Sequence, residues 1–318
     1  MTKKIATREA YGTALVELGA ELPGLIVLDA DLSGSTKTSE FKKAYPERFF
    51  NVGIAEQNLL GTAAGLALAG KIPFASTFAV FATGRAYEQI RNSIAYPRLN
   101  VKVAATHAGL TVGPDGASHQ ALEDIALMRA IPNLTVIVPA DAVEARLAVR
   151  EAARLKGPVY LRFSREATPV IFDEDYEFDL RKAQVVRPGR HVTIVATGVM
   201  VSQALQASEQ LEAMEGISAE VINVSVIKPL DVRTILESAE KTGCVVTAEE
   251  HSIIGGLGSA VAETLVENLP VPMTRVGVLD KFGESGSPEE LLRAYGLDAE
   301  AIVYAVRRVI MRRVSSKA

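Results

Sequence analysis

Short apolar runs alternate with longer amphipathic stretches along this chain, and they do so in two series. Leu25–Ala30 (LIVLDA), Phe49–Gly53, Val101–Thr106 (VKVAAT), Leu134–Val138 (LTVIV) and Val159–Phe163 (VYLRF) are each too short for a buried helix. Runs of this length suit strands covered on both faces, as in a parallel sheet. Between them lie segments of helical period: Arg8–Leu18 after a Thr7 cap, the stretch opened by Glu56, a helix from about Val80, and Ala142–Lys156. Strand and helix alternating at this rhythm predict a doubly wound α/β fold.

At 318 residues the chain exceeds what one core usually holds, so two domains are expected. The rhythm breaks at FDEDYEFDLRKAQVVRPGR, which is charged and carries Pro188-Gly189. It then restarts with VTIVATG, AEVINVS, CVVTAEE and TRVGVL. The expected division is residues 1–175, a linker over 176–189, and a smaller α/β domain over 190–318, whose basic tail RRVIMRRVSSKA reads as a frayed helix end. A net charge of −4 gives no general pull toward nucleic acid or anionic membrane. One cysteine, Cys244, excludes an intrachain disulfide and a cysteine metal cluster. The first residues lack the apolar core of a signal peptide, and no run reaches the roughly 18 apolar residues of a membrane span, so a cytoplasmic location is expected.

Chemistry concentrates where strands end. Asn51–Gly70 (NVGIAEQNLLGTAAGLALAG) places a glycine turn, then Glu56, ahead of a run of Leu, Ala and Gly. Gly61, Ala64, Gly65 and Leu68 recur at helical spacing and would let the helix approach a neighbour closely. Glu56 either complements the dipole of the helix it opens or, taken out of water, works as a protonated or hydrogen-bonded acid. Phe78 and Phe81, three apart, present two rings on one side, as core or as the wall of a site. Asp31, Ser33, Ser35 and Thr36 form a small-polar loop after a strand, a favoured ligand position.

The loop HAGLTVGPDGASHQ holds His107, Asp115 and His119 among three glycines. It is either a glycine-rich surface loop or a site in which histidine donates to a developing oxyanion or moves a proton. Its spacing matches no common metal-ligand pattern. Arg8 and Arg165 are candidate anion contacts, since the guanidinium fork suits phosphate or carboxylate. GGLGSAV, between a strand and a helix, lacks the third glycine of a dinucleotide loop and reads as a helix-entry turn.

Taken in order, ATREAYG, DADLSGST, NVGIAEQNLLGTAAGLAL, STFAVF, THAGLTVGPDGASHQALEDIALMRAIPN, VPAD, LRFSRE and HSIIGGLGSAVAE resemble the carboxyl-terminal half of transketolase over essentially the whole chain. Deoxyxylulose-phosphate synthase and the β chain of 2-oxo-acid dehydrogenase E1 share that architecture. RAYEQI and FGESG have a synthase-like look, whereas the histidine loop and the SRE arginine favour transketolase. The resemblance implies two doubly wound domains, a pyrimidine-binding domain of thiamine enzymes and the smaller transketolase C-terminal domain. The implied activity moves a two-carbon ketol unit between sugar phosphates on thiamine diphosphate, through a carbanion/enamine.

By the same resemblance, Glu56 bonds the aminopyrimidine of the cofactor, Phe78 and Phe81 wall its ring, and Asp31 lies near it. His107, Asp115 and His119 match residues that contact sugar hydroxyls and assist proton transfer. Arg8, Ser35 and Arg165, with His107, match the cluster that binds the sugar phosphate. One departure stands out: Gly84 occupies the place of a third aromatic found in many members, leaving Arg85 or Tyr87 to fill the gap. The family's GDG motif for diphosphate and a divalent metal is absent, because Asp115-Gly116 follows Pro114. The chain therefore carries half a cofactor site. An amino-terminal subunit with the GDG motif, binding Mg2+ (or Ca2+), is the expected partner, in an α2β2 assembly that contains a β2 pair; the alternative is a truncated or recombinant fragment of a longer enzyme.

Overall fold

The computed structural model describes residues 3–315, so the end of the expected frayed tail, 316–318, lies outside the described residues. The chain enters through β1 (Lys4–Ala6) and α1 (Thr7–Glu21) and then lays down β2 (Leu25–Asp29), α2 (Ser33–Thr36), α3 (Thr38–Ala44), β3 (Phe49–Asn51) and α4 (Glu56–Leu68). There follow β4 (Ile72–Phe78), β5 (Lys102–Thr106), α5 (Asp124–Ala130), β6 (Thr135–Ile137), α6 (Ala142–Arg154), β7 (Val159–Arg162) and β8 (Ala167–Pro169). Strands β2 to β7 run parallel in the order β6-β7-β5-β4-β2-β3. All their carboxyl ends therefore point one way, and every candidate loop lies at that end.

The expected linker holds β9 (Gln184–Arg187), which pairs antiparallel with β11 at the edge of the second sheet. The second series comprises β10 (Val192–Ala196), α7 (Met200–Glu215), β11 (Ala219–Asn223), β12 (Val226–Lys228), α8 (Val232–Thr242), β13 (Val245–Ser252), α9 (Leu257–Asn268), β14 (Met273–Val278), α10 (Pro288–Ala294) and α11 (Ala299–Ser315). Its sheet runs β14-β13-β10-β11-β9. β12 does not join it. Val226 pairs with Ile137 and Lys228 with Val136, so this strand closes the edge of the first sheet, antiparallel to β6. Sequence alone assigned residues 190–318 wholly to the second unit, and these three residues cross over.

Strand pleating sorts the core into layers. Leu25 and Val27 face α1, α3 and α6 with Tyr11, Leu15, Phe41 and Val149. Ile26 and Leu28 face α4 and α5, and that layer continues without a break into Val195, Ile222, Ile235, Leu257 and Val261 of the second unit. The far face of the second sheet packs on α7 and α11 through Met200, Leu211, Ile302 and Val306. Each fully buried aliphatic side chain contributes about 1.5–3 kcal/mol, against about 0–1 for an exposed ion pair. The shared apolar layer is thus what joins the two units.

α4 buries Leu59, Leu60, Ala63 and Ala64. The expected close-approach stripe divides: Ala64 packs inward, but Gly61, Gly65 and Leu68 are exposed, and a Cβ at either glycine would meet nothing within 4 Å.

Candidate active site

Two short-range devices place the loops at the carboxyl end of the first sheet. After β2, the buried Asp29 carboxylate accepts the Leu32 N–H at 2.6 Å and the hydroxyls of Thr36 and Thr38 at 2.7 and 2.9 Å. These bonds fold residues 32–38 into α2 and its turn, which carries Ser35. Beside them, Asp31 adopts a left-handed conformation (φ 64°), and its backbone and side chain bond the Asn51 amide at 3.1 and 2.8 Å. Asn51 in turn accepts the Gly53 N–H at 3.0 Å, which sets the turn before α4. Sequence reading chose Asp31 and passed over Asp29, the residue that orders this loop.

Glu56 is the first residue of α4 and is 5% exposed. Its Oε1 accepts a bond from the half-exposed guanidinium of Arg85 at 3.0 Å. After β4 the chain winds as two π-helical segments, Phe81–Arg85 and Gln89–Ala95, a form often found at functional sites. The wider turn leaves Gly84 exposed and carries Arg85 back over the Phe81 ring, 4.1 Å from its centroid. Of the two residues proposed to fill the aromatic gap, Arg85 is the one that stacks on the wall. Phe81 stacks with Phe78 (5.7 Å, 15°), and Phe78 with the His107 imidazole (3.8 Å, 18°). His119 meets both phenylalanine rings edge-on, at 6.1 and 5.3 Å. Phe78 and Phe81 thus line a wall between the Glu56 carboxylate and the two loop histidines.

The anion side is built by β1 and β8. Lys4 pairs with Pro169 and Ala6 with Ala167, and the Thr7 hydroxyl accepts the Ser164 N–H at 2.7 Å. Arg8 lies two residues after β1 and Arg165 two residues before β8, and because the two strands run antiparallel both arginines fall at the same end of the ladder. Arg8 donates to the Ser35 carbonyl at 2.9 Å and reaches His107 Nε2 at 3.3 Å. Arg165 donates to the Val112 carbonyl at 2.8 Å and pairs with Asp115 at 2.9 Å. Burial, then Arg165, lowers the Arg8 guanidinium below its ordinary value, which marks local positive crowding.

His107 stands at the end of β5 in a left-handed conformation (φ 58°) that non-glycine residues rarely take. An arginine only donates, so Nε2 facing Arg8 is the acceptor, and Nδ1–H is left to bond the Thr106 hydroxyl at 2.8 Å. Burial first, then Arg8 and Arg165, push the imidazole down to about 3. It is neutral across the physiological range, with its lone pair toward the cationic corner. The structure therefore brings Arg8, Ser35, His107, Asp115, His119 and Arg165 together through these contacts, with Phe78, Phe81 and Glu56 adjoining them. Asp29 and Thr106, the last residues of β2 and β5, join the site without any sequence signal of their own, and Arg85, expected only to fill the aromatic gap, adds the bond to Glu56.

The donor set fits the half of thiamine diphosphate that the resemblance assigned to it. Arg85, planar and rich in N–H, sits 4.1 Å over the Phe81 ring while donating to a buried carboxylate, and an aminopyrimidine is a group that would suit the same carboxylate and ring. Among the described residues no three His, Cys, Asp or Glu side chains gather to hold a metal ion.

Cys244 is buried, and GGLGSAV is a helix entry in which Glu249 accepts the N–H groups of Leu257 and Gly258, each at 2.7 Å. Among the described residues no helix is long and apolar enough to cross a membrane.

Comparison with known proteins identifies the family. The family described as "Transketolase, pyrimidine binding domain" matches residues 3–170, and "Transketolase, C-terminal domain" matches residues 181–302. A solved structure described as a split gene transketolase, inactive β4 tetramer, is 60% identical with a TM-score of 0.91, covering 96% of this chain and 99% of its own. The 6-deoxy-6-sulfo-D-fructose transketolase subunit SqwH of Clostridium sp. (strain MSTE9) is 46% identical over 96% of this chain and 95% of its own. Transketolase from Leishmania mexicana superposes with a TM-score of 0.83 at 27% identity, over 98% of this chain but 46% of that one. The chain belongs to the transketolase family, and it corresponds to that family's carboxyl-terminal half.

Proposed function

We propose that this chain is the C-terminal subunit of a split transketolase. It moves a two-carbon ketol unit between sugar phosphates once an amino-terminal subunit supplies the diphosphate and Mg2+ half of the thiamine diphosphate site. The observation that carries this reading is the run of contacts that joins a buried carboxylate, an aromatic wall, the loop histidines and a paired-arginine corner. Thiamine diphosphate, when bound, supplies the carbon nucleophile and the electron sink that proteins lack.

The chain's own residues do the remaining work. Glu56 accepts a hydrogen bond from a ring nitrogen of the aminopyrimidine and holds the proton there. Phe78 and Phe81 keep the ring flat and exclude water from its face. Asp31, tied to Asn51, holds the turn that leads to Glu56. Arg8 and Arg165 bind the sugar's phosphate, with Ser35 and His107 fixing the Arg8 guanidinium. Asp115 and His119 reach the sugar hydroxyls, and His119 moves a proton there. His107, neutral, orients the substrate through its Nε2 lone pair.

A subunit reading is supported by the split relatives, whose names specify a subunit or a split gene. The β4 tetramer is described as inactive, which agrees with a chain that needs a partner. Reconstitution tests the reading. This chain alone should be inactive and should gain activity with an amino-terminal subunit carrying GDG, thiamine diphosphate and Mg2+, as an α2β2 complex. Xylulose 5-phosphate with ribose 5-phosphate should be turned over. Turnover of pyruvate instead would favour the synthase-like or E1 β-like alternative, and no cofactor uptake by the complex would favour a regulatory homologue.

A further inference from the structure

The loop from His107 to Gln120 closes at its base through its own backbone, with Gly109 N–H on the Ala121 carbonyl at 3.0 Å. Above that base Arg165 holds the Val112 carbonyl and Asp115, and the other supports come from the second unit. Glu250, on β13 and 2% exposed, turns its carboxylate into the underside of the loop, where Oε1 accepts the Thr111 N–H at 2.6 Å. The other oxygen, Oε2, is buried with no partner. The loop passes so close that a Cβ on Gly109 would lie 2.2 Å from the carboxyl carbon, and Gly109 is also held at φ 82°. Only glycine fits there on both counts.

Arg162 secures the seat. Its Nη2 donates to the Glu250 carbonyl at 3.0 Å and to the Ala121 carbonyl at 3.3 Å, and its Nε bonds Asp124 at 2.7 Å. On the loop's other side, Gln120 donates to the carbonyls of Leu110, Gly113 and Glu284 at 3.2, 3.4 and 2.9 Å. A Cβ on Gly116 would sit 2.6 Å from the Ser285 hydroxyl. The second unit therefore touches the loop from below through Glu250 and from above through residues 284–285.

We infer that Glu250 is a positioning residue: its carboxylate fixes the Thr111 backbone and so the placement of Asp115 and His119, given the substrate role proposed above for that loop. It reaches none of the reacting groups. A loop bearing substrate contacts needs such support, because a shift of about 1 Å in a positioned group is enough to cost activity. Removing the carboxylate leaves the buried Thr111 N–H without an acceptor and takes away the loop's support from β13, while Arg165 and Gln120 still hold the carbonyls of Val112, Leu110 and Gly113.

Two measurements test this on the full chain. In Glu250→Ala, amide hydrogen exchange across residues 110–120 should quicken, while Glu250→Gln, whose side-chain oxygen still accepts from Thr111, should exchange much as the parent does. In the reconstituted complex, Glu250→Ala should lose about tenfold or more in kcat/KM, the size expected when a buried N–H is left without its acceptor. That loss should fall on KM for the sugar phosphates, with half-saturation by thiamine diphosphate unchanged and Glu250→Gln largely restored. Unchanged exchange in Glu250→Ala, equal losses in the Ala and Gln variants, or a loss carried by cofactor affinity would overturn the inference. If the unsubstituted complex moved no sugar phosphate while the exchange difference held, the transketolase reading would fall and Glu250 would stand as the holder of this loop.

Discussion

Arg85 donates to the Glu56 carboxylate at 3.0 Å while its guanidinium lies 4.1 Å over Phe81. One side chain thus covers both the buried acid and the aromatic face proposed for the cofactor ring. Glu56 is 5% exposed and Arg85 is 52% exposed, so the arginine is the partner free to move.

Arg85 and the aminopyrimidine compete for the same carboxylate. Replacing Arg85 with Ala should therefore tighten thiamine diphosphate binding to the reconstituted complex. A half-exposed ion pair is worth at most about 1 kcal/mol, so the gain should be about twofold to fivefold. Cofactor titration reads it directly. Weaker binding in the variant would make Arg85 part of the holding wall instead.

Arg8 has two separable jobs. It bonds Nε2 of His107, and after burial it is the largest cause of that imidazole's depression to about 3. In Arg8→Ala the imidazole should titrate at higher pH, which NMR of its ring protons follows. The native state would then release less proton than the parent does between about 3 and the ordinary histidine range. Stability lost by the parent as pH falls through that window should be smaller in the variant. Arg8→Ala should also raise KM for a sugar phosphate about tenfold or more, with little change for an unphosphorylated ketose. Equal losses for both sugars would remove Arg8 from the phosphate corner.

Burial raises Glu249 to about 7, although its oxygens accept two helix N–H groups from Leu257 and Gly258. The folded chain therefore keeps a proton that the unfolded chain releases, and stability falls as pH rises from the ordinary carboxylate range through about 7. Glu249→Gln cannot ionise. Its deficit relative to the parent should shrink between pH ~5 and pH ~8, by no more than about 3 kcal/mol. Denaturant unfolding at the two pH values measures the gap. A gap that is constant or grows with pH would contradict the placement of this carboxyl in a dry core.

The first sheet was legible because each strand is an apolar run buried on both faces, and loops after such strands are few. That let Arg8, Ser35, Glu56, Phe78, His107 and Arg165 be chosen from spacing and family resemblance before any contact was known. Other parts lay beyond reach for physical reasons. Val226–Lys228 is three residues long, and nothing local states that it leaves its own sheet for β6. The stretch after β4 reads as an ordinary helix, and nothing in it signals the π windings that bring Arg85 to Glu56 across 29 residues. Glu250 sits in an apolar strand and gains meaning only from a backbone N–H 139 positions away. Gly61 and Gly65 have the spacing of a close-approach stripe, but among the described residues nothing packs against them.

The most direct test of the account is the rate of ketol transfer after Glu56→Ala in the complex with the amino-terminal subunit, thiamine diphosphate and Mg2+. Loss of the group that holds the ring proton should lower kcat about 10²–10⁴-fold with xylulose 5-phosphate and ribose 5-phosphate. Transfer at the unsubstituted rate would contradict the role given to Glu56 and, with it, the reading of this site as half of a thiamine centre.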